Sequence, residues 1–449
     1  MLSISHEIDR PYQQISVAEV ISIPAGSLRS NFFWTLFGNF LYAGCQWGML
    51  VAIAKFGSPE AMGQFGLGLA IGAPVIFLFN MQMRTVAATD ARHDYLFGDY
   101  LSLRLLAVIP ALLVIAGITV IAGYHRQIVL VILALGLCKA IESITDIFYG
   151  LFQQHESLDR LAISMLIKGP LSLIALSGGL YLTGNIFWGV MALAVIWLSV
   201  LVGYDIPNGK LILKASGLEA PKHKNKAKFL RANWSKVKLT QLTRLGLPLG
   251  IAAMLNSLNN NIPLYFIQHF QGERELGIFV ALAYLMVAGS TAINAMGQPT
   301  NPRLAKYFAM GKRADFRNLL LKYLGFGVIL GGLAILCALI GGHQILSIFY
   351  GAEYAEHVNL FFWLMVAGSI TYVAVILNDG MMAVRCFGIQ LPLNALIIII
   401  SIVMSFWLIP TYGLYGAVMA VIFARTTQAA CGFAVIGYAL IKAAPSSQG

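Results

Sequence analysis

A polar stripe within an otherwise apolar stretch is the feature of the sequence with the clearest potential for chemistry. Lys139, Glu142, Ser143 and Asp146 fall at spacings of three, four and seven residues, which places them on one face of an α-helix, and Tyr149 continues that face. The lysine could receive an anionic group, and Glu142 and Asp146 could exchange a proton or hold a cation. The alternative is an ion pair that only orients the helix, but one pair would suffice for that role and three charges are present.

Two further cations interrupt apolar stretches. Arg425 lies midway along the last stretch and is followed by polar residues through Gln428. Lys168 precedes Gly169 and Pro170, a pair that should distort a helix and leave its backbone open to polar partners. Arg425 is predicted to line a cavity. Lys168 has an alternative, because it is close enough to the end of its stretch to extend to the membrane surface.

A set of uncharged amides forms a second candidate site. Asn39 and Gln46 lie seven residues apart in the first apolar stretch, and Asn256 and Asn260 lie in the seventh. Amides both donate and accept hydrogen bonds, which suits a ligand rich in hydroxyl groups. The alternative role is hydrogen bonding between helices, worth about 0.6 kcal/mol on average.

The composition identifies the elements that must position these residues. Of 449 residues, 58% are hydrophobic and only 11% are charged, against about 25% charged in an ordinary soluble domain. A soluble globular protein is excluded, because a chain of this size cannot bury so much apolar surface. The sequence is that of a polytopic membrane protein.

A helix that crosses a bilayer needs about 20 apolar residues, and the sequence offers about twelve such stretches. Continuous apolar runs also exclude the alternating pattern of a membrane β-barrel. The predicted fold is therefore all-α, with spans near 31–54, 62–83, 101–123, 127–152, 161–182, 185–204, 245–270, 276–298, 319–340, 358–383, 390–409 and 414–441.

The basic residues set the predicted topology, since Lys and Arg in short loops stay in the cytoplasm. With the N-terminus inside, 24 of the 30 Lys and Arg residues fall in cytoplasmic segments and three in outer loops. Both termini are therefore predicted to be cytoplasmic, in a multi-pass protein of the plasma (inner) membrane. These basic loops account for the net charge of +11. Basic clusters are common beside anionic lipid headgroups, so no nucleic-acid partner is predicted.

The spans divide into two sets of six, and the sets resemble one another at an offset of 214 residues. The matched pairs are Phe56 and Phe270, Gly63 and Gly277, Phe65 and Phe279, Asn80 and Asn294, and Gln46 and Asn260. An even number of spans separates the copies, so two pseudo-symmetric lobes should have the same orientation and enclose a cavity. The predicted units are a cytoplasmic N-terminal segment (1–30), an N-lobe (31–204), a basic cytoplasmic linker (205–244), a C-lobe (245–441) and a cytoplasmic tail (442–449).

Several short segments, in this order and spacing with twelve spans, resemble a known family. They are Ala73–Pro74, Gln82–Arg92, Tyr149–Gln153, Gln298–Ala305, Phe349–Tyr354 and Ile409–Ala417. The family is the Wzx-type oligosaccharide flippases of the multidrug/oligosaccharidyl-lipid/polysaccharide exporter superfamily, and the resemblance covers most of the chain.

This resemblance implies an alternating-access carrier for a polyprenyl-pyrophosphate-linked oligosaccharide, driven by a gradient of protons or sodium ions. It implies a cationic cavity, for which Lys139, Arg425 and Arg84 are the candidates here. The charges within the span predict Glu142 and Asp146 as the ion-coupling groups, since protonation of either would bias the inward and outward states. The resemblance further implies a polysaccharide polymerase and chain-length proteins as partners, in a pathway for O-antigen, exopolysaccharide or capsule. Neither an enzymatic role nor a cofactor or metal is predicted.

Three alternatives remain open from the sequence. A drug or cation exporter of the same superfamily would favour acidic and aromatic residues in its cavity, whereas this interior carries Lys, Arg and amides. A major-facilitator sugar carrier would carry a Gly-x-x-x-Asp-Arg-like motif after its second span, and 84–100 contains none. A membrane polymerase would need catalytic groups in an outer loop, and 341–357 offers only His343, Glu353, Glu356 and His357.

Overall fold

The structure, a computed structural model, describes residues 28–90, 94–215, 234–384 and 387–442. Every regular element in these ranges is a helix, which confirms the all-α prediction. Most of the predicted N-terminal segment, the centre of the predicted linker at 216–233 and the tail from 443 lie outside the described residues, as do Arg92 and Arg385.

The helices follow one another with short connections. They are α1 (Leu28–Phe56), α2 (Pro59–Asn80), α3 (Met83–Thr89), α4 (Phe97–Ile121), α5 (Arg126–Gln154), α6 (Leu158–Thr183), α7 (Ile186–Val200), α8 (Ile206–Ala215), α9 (Lys236–Phe270), α10 (Glu273–Ala309), α11 (Arg313–Phe349), α12 (Ala352–Ala355), α13 (Val358–Ala383) and α14 (Phe387–Lys442). A π-helical turn, Leu201–Asp205, joins α7 to α8 without a break.

Nine of the described helical segments are long and apolar enough to cross a membrane. One of them, Pro392–Ile441 in α14, contains both of the last two predicted spans. The two segments meet at Gly413, whose φ of 56° lies in the left-handed region that favours glycine. The prediction of a multi-pass membrane protein is confirmed, while the count of twelve spans and the cytoplasmic location of the termini stay predictions.

The predicted first and seventh spans, α1 and α9, are absent from the nine. Both helices are long enough, at 29 and 35 residues. They carry the amides singled out above, among them Gln46 in α1 and Asn260 in α9, which lower the mean hydropathy. Apolar content alone therefore misses the two helices that carry these amides.

Helix packing separates an N-terminal group from a C-terminal group. In the first group α1 packs on α6, α6 on α7, and α5 on α2, α4 and α7. In the second, α13 packs on α10, α11 and α14, and α14 packs on α9. The main contacts between the groups run through α2, which touches both α9 and α10. Helices α8 and α9 extend into both ends of the predicted linker, and the residue boundaries of the two lobes stay predictions.

The crossing of α2 and α10 is closer than any side chain would permit. A Cβ on Gly63 would overlap the backbone oxygen of Glu273, and a Cβ on Gly277 would overlap that of Pro59. These residues form two pairs separated by 214 in the sequence, 59 with 273 and 63 with 277. Such reciprocity is what a twofold axis produces at a contact, and it supports the internal repeat inferred from the sequence.

Candidate functional site

The polar face of α5 carries the first part of the candidate site. Glu142 lies between two lysines, with Lys139 Nζ 2.7 Å from its Oε2 and Lys168 Nζ 4.0 Å from its Oε1. The hydroxyl of Tyr42 donates to the same carboxylate at 3.4 Å. Both lysines also lie over the ring of Trp197, at 5.6 and 4.1 Å from its centroid, a cation–π arrangement that stabilises a desolvated ammonium group.

Lys168 does not extend to the surface, so that alternative is wrong. Its side chain is only 2% exposed, because α6 packs against α1 and α7 and Trp197 covers the ammonium group. Lys168 therefore belongs to the interior, one helix away from Lys139.

One turn further along α5, a second carboxylate lies between two arginines. Asp146 pairs with Arg84 at 3.2 Å and with Arg104 at 3.7 Å. Arg84 Nε also donates to Gln153 Oε1 at 3.1 Å, and Arg104 donates to Ser143 Oγ at 3.2 Å. The predicted single face of α5 is confirmed, since Lys139, Glu142, Asp146 and Gln153 all make these contacts from it.

The two arginines differ in exposure. Arg104 is 1% exposed, whereas Arg84 is 30% exposed. Arg84 borders a pocket that opens on the polar face of α5, lined by Phe77, Asn80, Gln82, Arg84, Thr85, Asp146 and Gln153. Buried Arg104 therefore supports the site from behind, and Arg84 presents a guanidinium group to whatever enters the pocket.

These six charged residues form what we call the cationic cluster: Lys139, Lys168, Arg84, Arg104, Glu142 and Asp146. Four cations face two carboxylates, so the cluster carries excess positive charge within the apolar part of the protein. Two nitrogens of Arg104, Nε and Nη2, have no hydrogen-bond partner among the described residues. Ionisable groups are costly within a membrane and occur mainly where they act on a ligand or ion.

The C-terminal group carries a separate polar site on α14 and α9. Arg425 donates to Gln428 Oε1 at 2.8 Å and also donates to Asn260 Oδ1. Within the described ranges, no hydrogen bond or ion pair joins this set to the cationic cluster. Gln46 and Asn260, which match in the sequence repeat, lie in different sites, since Gln46 interacts with Tyr42 beside Glu142 and Asn260 accepts a hydrogen bond from Arg425.

The remaining amides are not brought together. Asn39 and Asn256 are both exposed, and neither forms a side-chain hydrogen bond with another described residue. Their assignment to substrate binding stays a prediction.

Sequence reasoning missed three ionisable residues that the structure places inside the helices. Arg104 falls near the start of the predicted span 101–123, where it counts among the cytoplasmic basic residues, and Asp205 falls at the start of the predicted linker, because hydropathy places span boundaries only to within a few residues. Asp379, in α13, accepts a hydrogen bond from Tyr323 at 3.2 Å. Arg104 and Asp379 each lie among apolar neighbours in the sequence, and a search for isolated charges of both signs would have found them.

Fold and site together define a polytopic membrane protein with a cationic cluster inside its helices. The chain belongs to the family described as polysaccharide biosynthesis protein, which matches residues 28–308. A relative, the capsular polysaccharide biosynthesis protein CapF of Staphylococcus aureus, is 28% identical over 392 residues, or 87% of this chain and 94% of that protein.

Solved structures show the same fold. An inward-facing multidrug resistance transporter of the MATE family, in the MOP superfamily, matches with a TM-score of 0.66 at 15% identity, over 91% of this chain and 96% of that one. A MOP superfamily transporter from Pyrococcus furiosus matches with a TM-score of 0.59 at 14% identity, over 92% and 94%. The family confirms the link to polysaccharide biosynthesis inferred from the sequence, and the solved structures confirm the fold.

Proposed function

We propose that this protein moves a polyprenyl-pyrophosphate-linked oligosaccharide from the cytoplasmic to the outer leaflet of the plasma (inner) membrane. The transfer serves the synthesis of a cell-surface polysaccharide, and the protein acts as a carrier by alternating access and not as an enzyme. The observation that carries the proposal is the net positive cluster inside the helices of a member of the polysaccharide biosynthesis family.

The need for such a cluster follows from the chemistry of the cargo. Sugar hydroxyls and two phosphates would lose their hydration in hydrocarbon. A lysine or arginine can replace the water around a phosphate through charge-assisted hydrogen bonds, and arginine can do so with two parallel bonds. A chain of polyprenyl units needs no such replacement, so it can stay in lipid beside the protein.

Three cations are proposed to bind the pyrophosphate or acidic sugars: Lys139, Arg84 and Arg425. Lys139 and Arg84 are part-exposed, so an anion can approach both. Asn39, Gln46, Asn256 and Asn260 are proposed to bind sugar hydroxyls. Support for Asn260 comes from its contact with Arg425, which would place an amide next to a cation on the bound cargo.

Glu142 and Asp146 are proposed to couple transport to a proton or sodium gradient. Each carboxylate lies between two cations, so each competes with a phosphate for the same partners. Neutralising a carboxylate would free its cations for the cargo, and ionising it again would favour release. An ion can thus bias the equilibrium between the inward and outward states through a difference in affinity.

Two rival functions are less well supported. A drug exporter for cationic compounds would gain nothing from four cations at this position, since they would repel its cargo. A membrane polymerase of lipid-linked glycans would need catalytic groups at an outer loop, and Glu353 there is paired with Arg274.

The proposal is tested by placing the purified protein in liposomes with a fluorescent polyprenyl-pyrophosphate oligosaccharide, with and without a pH gradient. We expect the labelled lipid to cross the bilayer faster with the gradient, and Lys139→Ala to reduce the rate at least several-fold. Lys55→Ala is the matched control, because Lys55 is exposed outside the cluster. No movement of the labelled lipid, together with efflux of a cationic dye, would instead establish the drug-exporter function.

A further inference from the structure

Asp205 is a buried carboxylate of the N-terminal group that has no role in the proposed function and, unlike buried Asp99, forms no ion pair among the described residues. Its side chain is 0% exposed, and it ends the π-helical turn Leu201–Asp205 between α7 and α8. A π-helical turn inserts one extra residue into a helix, at a cost in regularity, and such turns are frequent at functional sites. Here the turn places the Asp205 side chain in the packed interior.

Two hydroxyl groups connect Asp205 to the polar face of α5. Ser164 Oγ, on α6, donates to Asp205 Oδ1 at 2.7 Å. Tyr149 Oη lies 2.9 Å from the same Ser164 oxygen. Because Ser164 uses its only proton toward Asp205, Tyr149 is the donor of the second bond. The three groups therefore form an ordered chain with the acid at its inner end.

The outer end of this chain, Tyr149, contacts Arg84, a residue of the pocket described above. The guanidinium group of Arg84 lies over the ring of Tyr149, 5.4 Å from its centroid, and Arg84 lines the pocket. Tyr149 itself is 6% exposed, whereas Ser164 is 0% exposed. A proton that arrives at the pocket is thus two hydroxyl groups away from Asp205.

Charge compensation for an ionised Asp205 is incomplete. Oδ2 has no hydrogen-bond partner, and no cation in the described part of the chain forms an ion pair with the side chain. The titratable groups that face it are Lys168 from α6, Tyr149 from α5 and Tyr204 from its own element. Lys168 is the one cation among these, and its ammonium group lies 4.0 Å from Glu142. A buried carboxylate with so few partners gains from neutralisation.

We propose that Asp205 is a proton-binding site connected to the pocket through Ser164 and Tyr149. A hydronium ion at the pocket gives its proton to Tyr149 Oη, Tyr149 passes its own proton to Ser164 Oγ, and Ser164 passes its own to Asp205 Oδ1. Water leaves, both hydroxyls stay neutral, and the carboxylate becomes a carboxylic acid. The reverse sequence releases the proton.

Occupancy of this site changes the charge beside the cationic cluster by one unit. With Asp205 ionised, its charge attracts Lys168 from beyond ion-pair distance, while Lys168 also interacts with Glu142. With Asp205 protonated, Lys168 interacts with Glu142 alone, and Lys139 is freer to bind an anion. The use of this effect in transport rests on the proposed function, whereas proton binding at Asp205 does not.

Infrared difference spectroscopy on the purified protein in nanodiscs tests the site without any cargo. We expect the wild type to show the C=O band of a buried carboxylic acid, which decreases as the pH rises and is missing in Asp205→Asn. The matched control is Asp159→Asn, an exposed aspartate at the start of the same α6 helix, which should keep the band. A band that persists in Asp205→Asn, or that does not titrate while the protein stays folded, overturns the proposal.

The hydroxyl chain is tested by the rate at which this band shifts after transfer to D₂O. Tyr149→Phe and Ser164→Ala keep the acid and should slow the exchange several-fold, and exchange at the wild-type rate in both would overturn the relay. If Asp205→Asn does not fold, Tyr149→Phe and Ser164→Ala provide the test instead. In them, labelling aspartate with ¹³C shifts the C=O band and so identifies it as that of an aspartic acid. Absence of lipid transport with this band intact would count against the proposed function alone.

Discussion

Glu60 and Arg274 occupy equivalent positions of the two sequence repeats, 214 residues apart, and pair with each other. Arg274 Nη1 lies 3.8 Å from Glu60 Oε1, and Arg274 also pairs with Glu353 in α12. The N-terminal and C-terminal groups are thus joined at this end by opposite charges at matching sites. Next to this pair, Gln64 donates to Glu273 at 2.7 Å.

Arg274→Gln should loosen this end of the molecule without unfolding it. Arg274 is 57% exposed, and exposed ion pairs contribute at most about 1 kcal/mol, so the melting temperature should change little. Spin labels at Lys55 and Glu356, both exposed, should report a broader and longer distance distribution in the variant. Arg126→Gln, at an exposed arginine outside any described ion pair, should leave the distribution unchanged. Equal distributions in all three proteins would contradict a role for Arg274 in holding the two helix groups together.

Replacing both carboxylates proposed to couple transport to an ion gradient should remove the response to that gradient. In Glu142→Gln with Asp146→Asn, the four cations of the cluster lose their charged partners, so an anionic cargo should bind at least as well. Transport in liposomes should no longer accelerate when a pH or sodium gradient is imposed. Undiminished acceleration in the double variant would exclude both residues as the coupling groups.

Replacing each of the two arginines that pair with Asp146 should affect different properties: Arg104 the stability of the fold, and Arg84 the rate of transport. Arg104→Ala removes a 1% exposed side chain, which leaves Ser143 without its buried donor and Asp146 without one of its two ion-pair partners, and such a loss costs about 1–3 kcal/mol. Arg84→Ala should cost much less, since Arg84 is 30% exposed, but should slow transport of the labelled lipid. Thermal unfolding and liposome transport, measured on both variants, check this division; equal loss of stability would refute it.

The crossing of α2 and α10 should not tolerate a larger residue. Gly63→Val places side-chain atoms where the Glu273 carbonyl lies, and overpacking of this kind costs about 1–3 kcal/mol. Gly72→Ala is the control on the same helix, because open space surrounds Gly72 and alanine favours a helix over glycine by about 1 kcal/mol. A thermal shift assay should show a lower melting temperature for Gly63→Val and an equal or higher one for Gly72→Ala.

The main features of the fold could be predicted because the bilayer imposes them. Apolar length located most of the helices, and the spacing of Lys139, Glu142 and Asp146 defined the polar face of α5 correctly, since helical geometry is local. Residues at the ends of spans were harder to place. Arg104 and Asp205 lie within helices whose ends are set by packing, so hydropathy placed Arg104 at the edge of a span and Asp205 in the linker.

Partners across helices could not be predicted either. The sequence paired Lys139 with Glu142 along one helix, but the contacts of Lys168 with Glu142 and of Arg84 with Asp146 depend on how α5, α6 and α3 pack. Gln46 of α1 and Asn260 of α9 are equivalent in the sequence repeat, yet Gln46 interacts with Tyr42 and Asn260 accepts a hydrogen bond from Arg425. The internal repeat holds at the backbone crossing of α2 and α10 but not at these side-chain contacts.

The reciprocal contact of Gly63 and Gly277 limits how the two groups of helices can move. Helices in backbone contact cannot slide along one another without collision, whereas they can rotate about the point where they touch. If the contact persists during transport, α2 and α10 rotate about the point where Gly63 and Gly277 touch. A small rotation there produces a large displacement at the far ends of both helices. The lack of a side chain at these two glycines would then determine how the two helix groups move relative to each other.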